Sequence, residues 1–169
     1  MGTQTADITG PHVVDVVGES FYQETIEKIC GGRTEEGVDH ECIATLRRNP
    51  NNPHDPNAIE VHIGGKQVGH TAKEMTSKLQ DFLRQCDEQG IEASCGARVM
   101  GGWDRGGGDR GHFGVQLHLR DITSASPDEV LALERKPAGG SIKGWWQRRS
   151  KRQKWAIGIG VVVFILPIL

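Results

Sequence analysis

Two neighbouring stretches of strict two-residue alternation set the fold class of this chain. In residues 42–47, Cys42, Ala44 and Leu46 alternate with Ile43, Thr45 and Arg47. In residues 58–63, Ile59, Val61 and Ile63 alternate with Ala58, Glu60 and His62. A period of two sends successive side chains to opposite faces, so each stretch reads as a half-buried strand. Gly64-Gly65 then turns the chain into Lys66–His70, which makes 58–70 a hairpin. In the loop between the two strands, Pro50, Pro53 and Pro56 fix φ, and Asn51, Asn52, Asp55 and Asn57 offer side chains to turn amides. Glycine is abundant, at 23 of 169 residues, which suits turns and strands better than a helical bundle.

The flanking segments extend this pattern. Val13, Val14, Val16 and Val17 form a β-branched run ending at Gly18, expected as a buried first strand. Tyr22–Ile29 reads as a short helix closed by Gly31-Gly32. From Thr71 to Gly90, Met75, Leu79, Phe82, Leu83 and Cys86 fall on one helical stripe, with Thr71 and Glu74 placed as a capping box. Strands over Glu92–Met100 and Phe113–Arg120 flank the glycine-rich stretch 101–114, expected as a hairpin with a long, polar, mobile tip. Residues 1–12 are expected to be disordered. Residues 122–142 are expected to be a linker, with room for a short helix after Ser126-Pro127-Asp128-Glu129. The expected architecture is one mainly β domain over 13–121 with one or two helices.

Charge is unevenly placed. The formal net charge is −2, yet residues 143–154 hold six basic side chains (Lys143, Arg148, Arg149, Lys151, Arg152, Lys154) and no acid. Residues 1–142 carry 14 basic against all 22 acidic side chains. An acidic body excludes broad polyanion binding by bulk charge while leaving room for a local basic groove. Cys30, Cys42, Cys86 and Cys95 form no CxxC pair, and the first residues carry no secretory pattern, so reduced thiols in the cytosol are expected.

Trp155–Leu169 contains no charged residue. With Trp145, Trp146 and Trp155 as interfacial rings and the basic run before it, this segment reads as an apolar C-terminal helix anchoring the chain in a membrane, with residues 143–154 juxtamembrane and the domain in the cytoplasm. Fifteen helical residues span about 22 Å, short of the ~30 Å hydrocarbon core, so local thinning or snorkelling would have to cover the difference.

The segments Val16-Val-Gly-Glu-Ser-Phe-Tyr, Leu46-Arg-Arg-Asn-Pro-Asn-Asn-Pro-His-Asp-Pro-Asn-Ala-Ile-Glu-Val and Gln67-Val-Gly-His together resemble the HIRAN domain family over residues 13–121. The resemblance implies a modified OB-like β-barrel of six strands and a domain that reads free 3′ ends of single-stranded DNA. Carried onto this chain, it makes Phe21 the ring that stacks on the terminal base, with Tyr22 its neighbour. It makes Asp55 the acceptor from the 3′-hydroxyl, with Asn52 and His54 beside it, and sets His70 against a phosphate. Stacking on an aromatic ring tolerates any base, and a carboxylate that accepts from a hydroxyl repels a terminal phosphate. Ser20 stands where the family's pattern has an arginine and His54 where it has a tyrosine. Arg105 and Arg110 on the glycine-rich stretch are candidates to supply the missing cation.

No P-loop, GxSxG or HExxH pattern occurs, and each of His54, Asp55 and His70 has a binding role under the resemblance. The expectation is therefore a non-enzymatic nucleic-acid-binding module with no cofactor, no metal and no catalytic residues, tethered to a membrane. The alternative is a membrane-tethered adaptor that has kept the barrel for protein partners and lost DNA binding.

Overall fold

The computed structural model of the chain describes residues 4–135. Strands β1 (Gln4–Asp7) and β2 (Thr9–Val17) open it, and a 3-10 turn over Glu19–Phe21 leads into helix α1 (Gln23–Cys30). Strands β3 (Val38–Arg48), β4 (Ile59–Ile63) and β5 (Lys66–Thr71) follow, then helix α2 (Lys73–Gln89). Strands β6 (Ile91–Gly101) and β7 (Phe113–Leu119) and helix α3 (Pro127–Arg135) complete it.

Six of the strands close a ring. β6, β3, β4, β5, β2 and β7 pair in that order, every pair antiparallel, and β7 returns to β6. This is the six-stranded barrel that the family resemblance implies. The inward parity is the one that alternation predicts, with Ala44, Leu46, Ile59, Val61 and Ile63 all buried. The β4–β5 turn uses Gly64 at φ 57° and Gly65 at φ 76°, and two consecutive positive φ values make the tight hairpin that matches strand twist. Register across this hairpin slips once. Val61 faces Gly69 and His62 faces Gln67, so Val68 is the extra residue of a bulge.

Helix α2 lays its stripe on the barrel, burying Leu79, Phe82, Leu83 and Cys86. Gly90 ends it in the left-handed conformation, as expected. Its start differs from the expected capping box. Ala72 is the N-cap residue and lends no side-chain bond, while the Thr71 hydroxyl lies 2.6 Å from that of Thr76. Thr71 belongs to β5 and is buried, so its side chain is used inside the fold.

Both ends of the domain exceed the sequence-based bounds. The first twelve residues, expected to be disordered, supply β1 and the start of β2. β1 runs parallel to β6 from Gln4 opposite Ile91 to Asp7 opposite Ser94, and Ala6 and Ile8 are wholly buried. The Ile8 N–H donates to the Ser94 carbonyl and the Arg120 N–H to the Ile8 carbonyl, stitching this segment to both β6 and the end of β7. At the other end, the stretch expected as a linker buries Ile122, Val130 and Leu131. α3 begins with a working capping box: the Ser126 hydroxyl accepts from the Glu129 N–H, and Glu129 Oε2 accepts from the Ser126 N–H. The expected buried first strand is corrected too. Of its four valines only Val16 is buried, while Val13 and Val17 are exposed. The remaining linker, the basic segment 143–154 and the apolar segment 155–169 lie outside the described residues. Among the described residues, no helix is long and apolar enough to cross a membrane.

Candidate nucleic-acid interface

The local backbone presents Phe21 to solvent. Gly18 enters the 3-10 turn at φ 80°, and its carbonyl accepts the Phe21 N–H. Glu19 and Gln23, on either side of Phe21, fasten the turn to β7. Glu19 Oε1 accepts the Val115 N–H, while the Gln23 amide donates to the Phe113 carbonyl and accepts its N–H. The ring they flank is 88% exposed. An exposed aromatic ring on a turn held at two points is a flat surface that would lose little freedom on being covered.

Tyr22 and His70 stand next to that turn. Their rings meet edge-on with centroids 6.4 Å apart, and Val17 faces His70 across β2 and β5. The glycine before His70 is sterically required. A Cβ on Gly69 would lie 2.7 Å from the Val17 carbonyl oxygen and 2.4 Å from a Val16 methyl, so any larger residue would push β2 away from β5. His70 Nε2 lies 3.0 Å from Gln67 Nε2, which makes the ring nitrogen the acceptor when the amide donates.

Glu60 connects this corner to the proline loop. It faces His70 across β4 and β5, lies 2.9 Å from His62 Nε2 and accepts from the Asn49 side-chain amide at 2.8 Å. Burial pushes the Glu60 carboxyl up. The bonds from His62 and Asn49, with His62 and His70 facing it, outweigh that and hold it below the usual 4.5. Desolvation, followed by the Glu60 charge, raises the Tyr22 phenol, so Tyr22 stays a neutral donor. Asn49, Glu60 and Gln67 were not singled out from the sequence. Glu60 shares the outward parity of His62, but only strand pairing and the bulge at Val68 bring Gln67 and His70, three residues apart, onto that same face.

Within the loop, the expected ligand groups also serve the fold. Asn52 Oδ1 accepts the N–H groups of His54 and Asp55, leaving its side-chain NH₂ as the group available to a ligand. Asp55 Oδ1 accepts the Asn57 N–H at 2.9 Å, a bond that engages one of its two carboxylate oxygens. His54 and Asp55 are exposed. The structure thus brings Phe21, Tyr22 and His70 together and ties the loop of Asn52, His54 and Asp55 to them through Asn49 and Glu60.

Arg105 and Arg110 are placed differently. Arg110 pairs with Asp104 at 2.8 Å and Arg105 with Asp109 at 3.6 Å, so each is balanced on its own loop. Nor is that stretch built as the expected mobile tip. Trp103 lies against Gly111, its indole N–H donates to Asp109, and Arg33 reaches the Gly111 carbonyl while covering the Phe113 ring. The exposed Lys66, first residue of β5, and Lys73, first residue of α2, form no ion pair among the described residues.

The HIRAN domain family model matches residues 10–100, more than half of the sequence. The chain belongs to the HIRAN domain family. HIRAN domains bind DNA. The human helicase-like transcription factor is 46% identical to this HIRAN chain over 43 residues, 25% of the chain and 4% of that protein's length. The crystal structure of the HIRAN domain of human HLTF superposes with a TM-score of 0.35 at 20% sequence identity, covering 79% of this chain and 96% of that one.

Proposed function

We propose that this HIRAN domain binds single-stranded DNA at its free 3′ end, without catalysing a reaction, with Phe21 as the stacking ring. The observation that carries the reading is the 88% exposure of Phe21 on a turn held by Glu19 and Gln23. A large exposed ring brings little to a barrel's stability, and a base is the partner that its face suits. Tyr22 and His70 would border the terminal nucleotide. The Asp55 carboxylate would accept from the 3′-hydroxyl, with Asn52 and His54 adjacent. Lys66 and Lys73 would meet phosphates in place of the paired Arg105 and Arg110.

Fluorescence anisotropy on the full chain tests this with a short strand ending in a 3′-hydroxyl and the same strand ending in a 3′-phosphate. The hydroxyl end is expected to bind about tenfold tighter, because a phosphate beside Asp55 meets like charge. Raising the salt should weaken both. Equal affinity for the two ends, or binding to neither, would end the 3′-end reading.

The same proposal places the domain at the cytoplasmic face of a membrane, held by residues 155–169. Support comes from the uncharged run with six cations just before it. Cell fractionation checks it. The chain is expected in the membrane fraction, and the chain lacking 155–169 in the soluble one; identical partitioning would remove the tether.

A further inference from the structure

The stacking site proposed above lies by one end of β2, where Val16 and Val17 pair with β5. From His12 to Asp15, β2 pairs with β7 on one side and, among the described residues, with no strand on the other. Next to this stretch a cavity of about 320 Å³ opens between β2, α2 and the segment after β7. Its floor is apolar, made by Val14, Met75, Leu79, Leu119 and Ile122, with Val13 at the mouth and half exposed.

The rim is basic. His12, Lys78 and Arg120 face one carboxylate, Asp121. Thr123 donates its N–H and hydroxyl to Asp121, which holds that carboxyl below its usual range, helped by the facing His12 and Lys78. The other acid on the edge, Asp15, accepts from the Gln116 amide. Neither Lys78 nor Arg120 forms an ion pair among the described residues, whereas Arg33, Arg47, Arg48, Arg84 and Arg98 all do. Arg120 Nε donates to the Thr9 carbonyl and Lys78 faces Asp121, yet with two cations to one carboxylate the rim stays positive on an acidic body, which favours an acidic partner.

We propose that this edge and groove dock an extended peptide of another protein, with acidic and apolar residues alternating, by adding a strand to β2 between His12 and Asp15. Main-chain groups on the open edge would supply the ladder. The floor under Val13 and Val14 would take every second side chain, and Lys78 and Arg120 would meet the acids between. A peptide fits this groove better than a nucleic acid, because among the described residues no Phe, Tyr or Trp ring lines it for a base. The inference stands independently of DNA binding at Phe21.

The probe is a fluorescein-labelled peptide about six residues long, alternating valine and glutamate, with a valine–lysine counterpart. Anisotropy on the full chain should show the glutamate peptide binding about tenfold tighter than the lysine one, and amide hydrogen exchange should slow within residues 12–15. The Val13→Asp, Lys78→Glu double variant should lose this binding while keeping its unfolding midpoint; if it does not fold, Lys78→Glu alone carries the test. Failure of the glutamate peptide to bind, no preference between the peptides, or binding that survives in the folded variant would overturn the proposal. A single DNA strand that displaces the peptide and protects the same amides would assign the groove to nucleic acid, and would overturn it as well.

Discussion

Replacing Phe21 with alanine is expected to weaken binding of single-stranded DNA by roughly 10- to 100-fold while leaving thermal unfolding unchanged. The size follows from base–aromatic stacking, about 1–3 kcal/mol per base, and the stability result follows from exposure. At 88% exposed, the ring buries too little surface for its loss to disturb the barrel. The turn beneath it is held by Glu19, Gln23 and the Gly18 carbonyl, none of which depends on the ring. Tyr22 offers a contrast, since it is half-buried and packs against His70. Titrating the parent chain and the variant with one labelled strand, alongside a thermal melt of each, separates the two effects. Less than a twofold loss of affinity, or a parallel fall in unfolding temperature, would show that Phe21 is no stacking platform.

The largest loss of stability is expected from Phe82→Ala, at about 3–5 kcal/mol. Phe82 is 2% exposed, on the same helical stripe as Leu79, Leu83 and Cys86. The aryl group cannot be replaced by neighbours from the strands, because their positions are set by the closed ladder. The gap would therefore remain open, and the cost would include the cavity as well as the lost transfer energy. Urea unfolding should show a lower midpoint with an unchanged slope. A loss below about 1 kcal/mol would mean that the helix repacks freely, and that the barrel relies less on α2 than its burial suggests.

Burial pushes the Cys42 and Cys86 thiols up to about 12, and all four cysteines are free. Such thiols stay protonated near neutral pH and are weak nucleophiles.

Much of the barrel was legible because its signals are local. The alternation in 42–47 and 58–63, the Gly64-Gly65 turn, the α2 stripe and the helix start at Ser126 each depend on residues a few positions apart. The structure shows all of them. The failures share a different cause. β1 has little apolar content of its own and is a strand because β6 lies beside it and Ala6 and Ile8 find a core. The valines of β2 looked buried by composition, but the open edge next to α2 leaves Val13 in solvent.

For the candidate site the division is similar. Phe21, Asp55 and His70 could be picked out because they sit in the motif segments that mark the family. Glu60 and Asn49, which tie the loop to His70, could not, since their role is a meeting across strands and no sequence spacing records it. The two loop arginines looked like free cations in the sequence, and only folding brought Asp104 and Asp109 against them. By itself, then, the sequence determined most of the strands, the β4–β5 turn, the helix stripe and the family, all of which rest on local periodicity and short motifs. Tertiary structure decided which ring faces solvent, which charges are already spent and which strand edge stays open, because each of these depends on what a distant part of the chain places alongside.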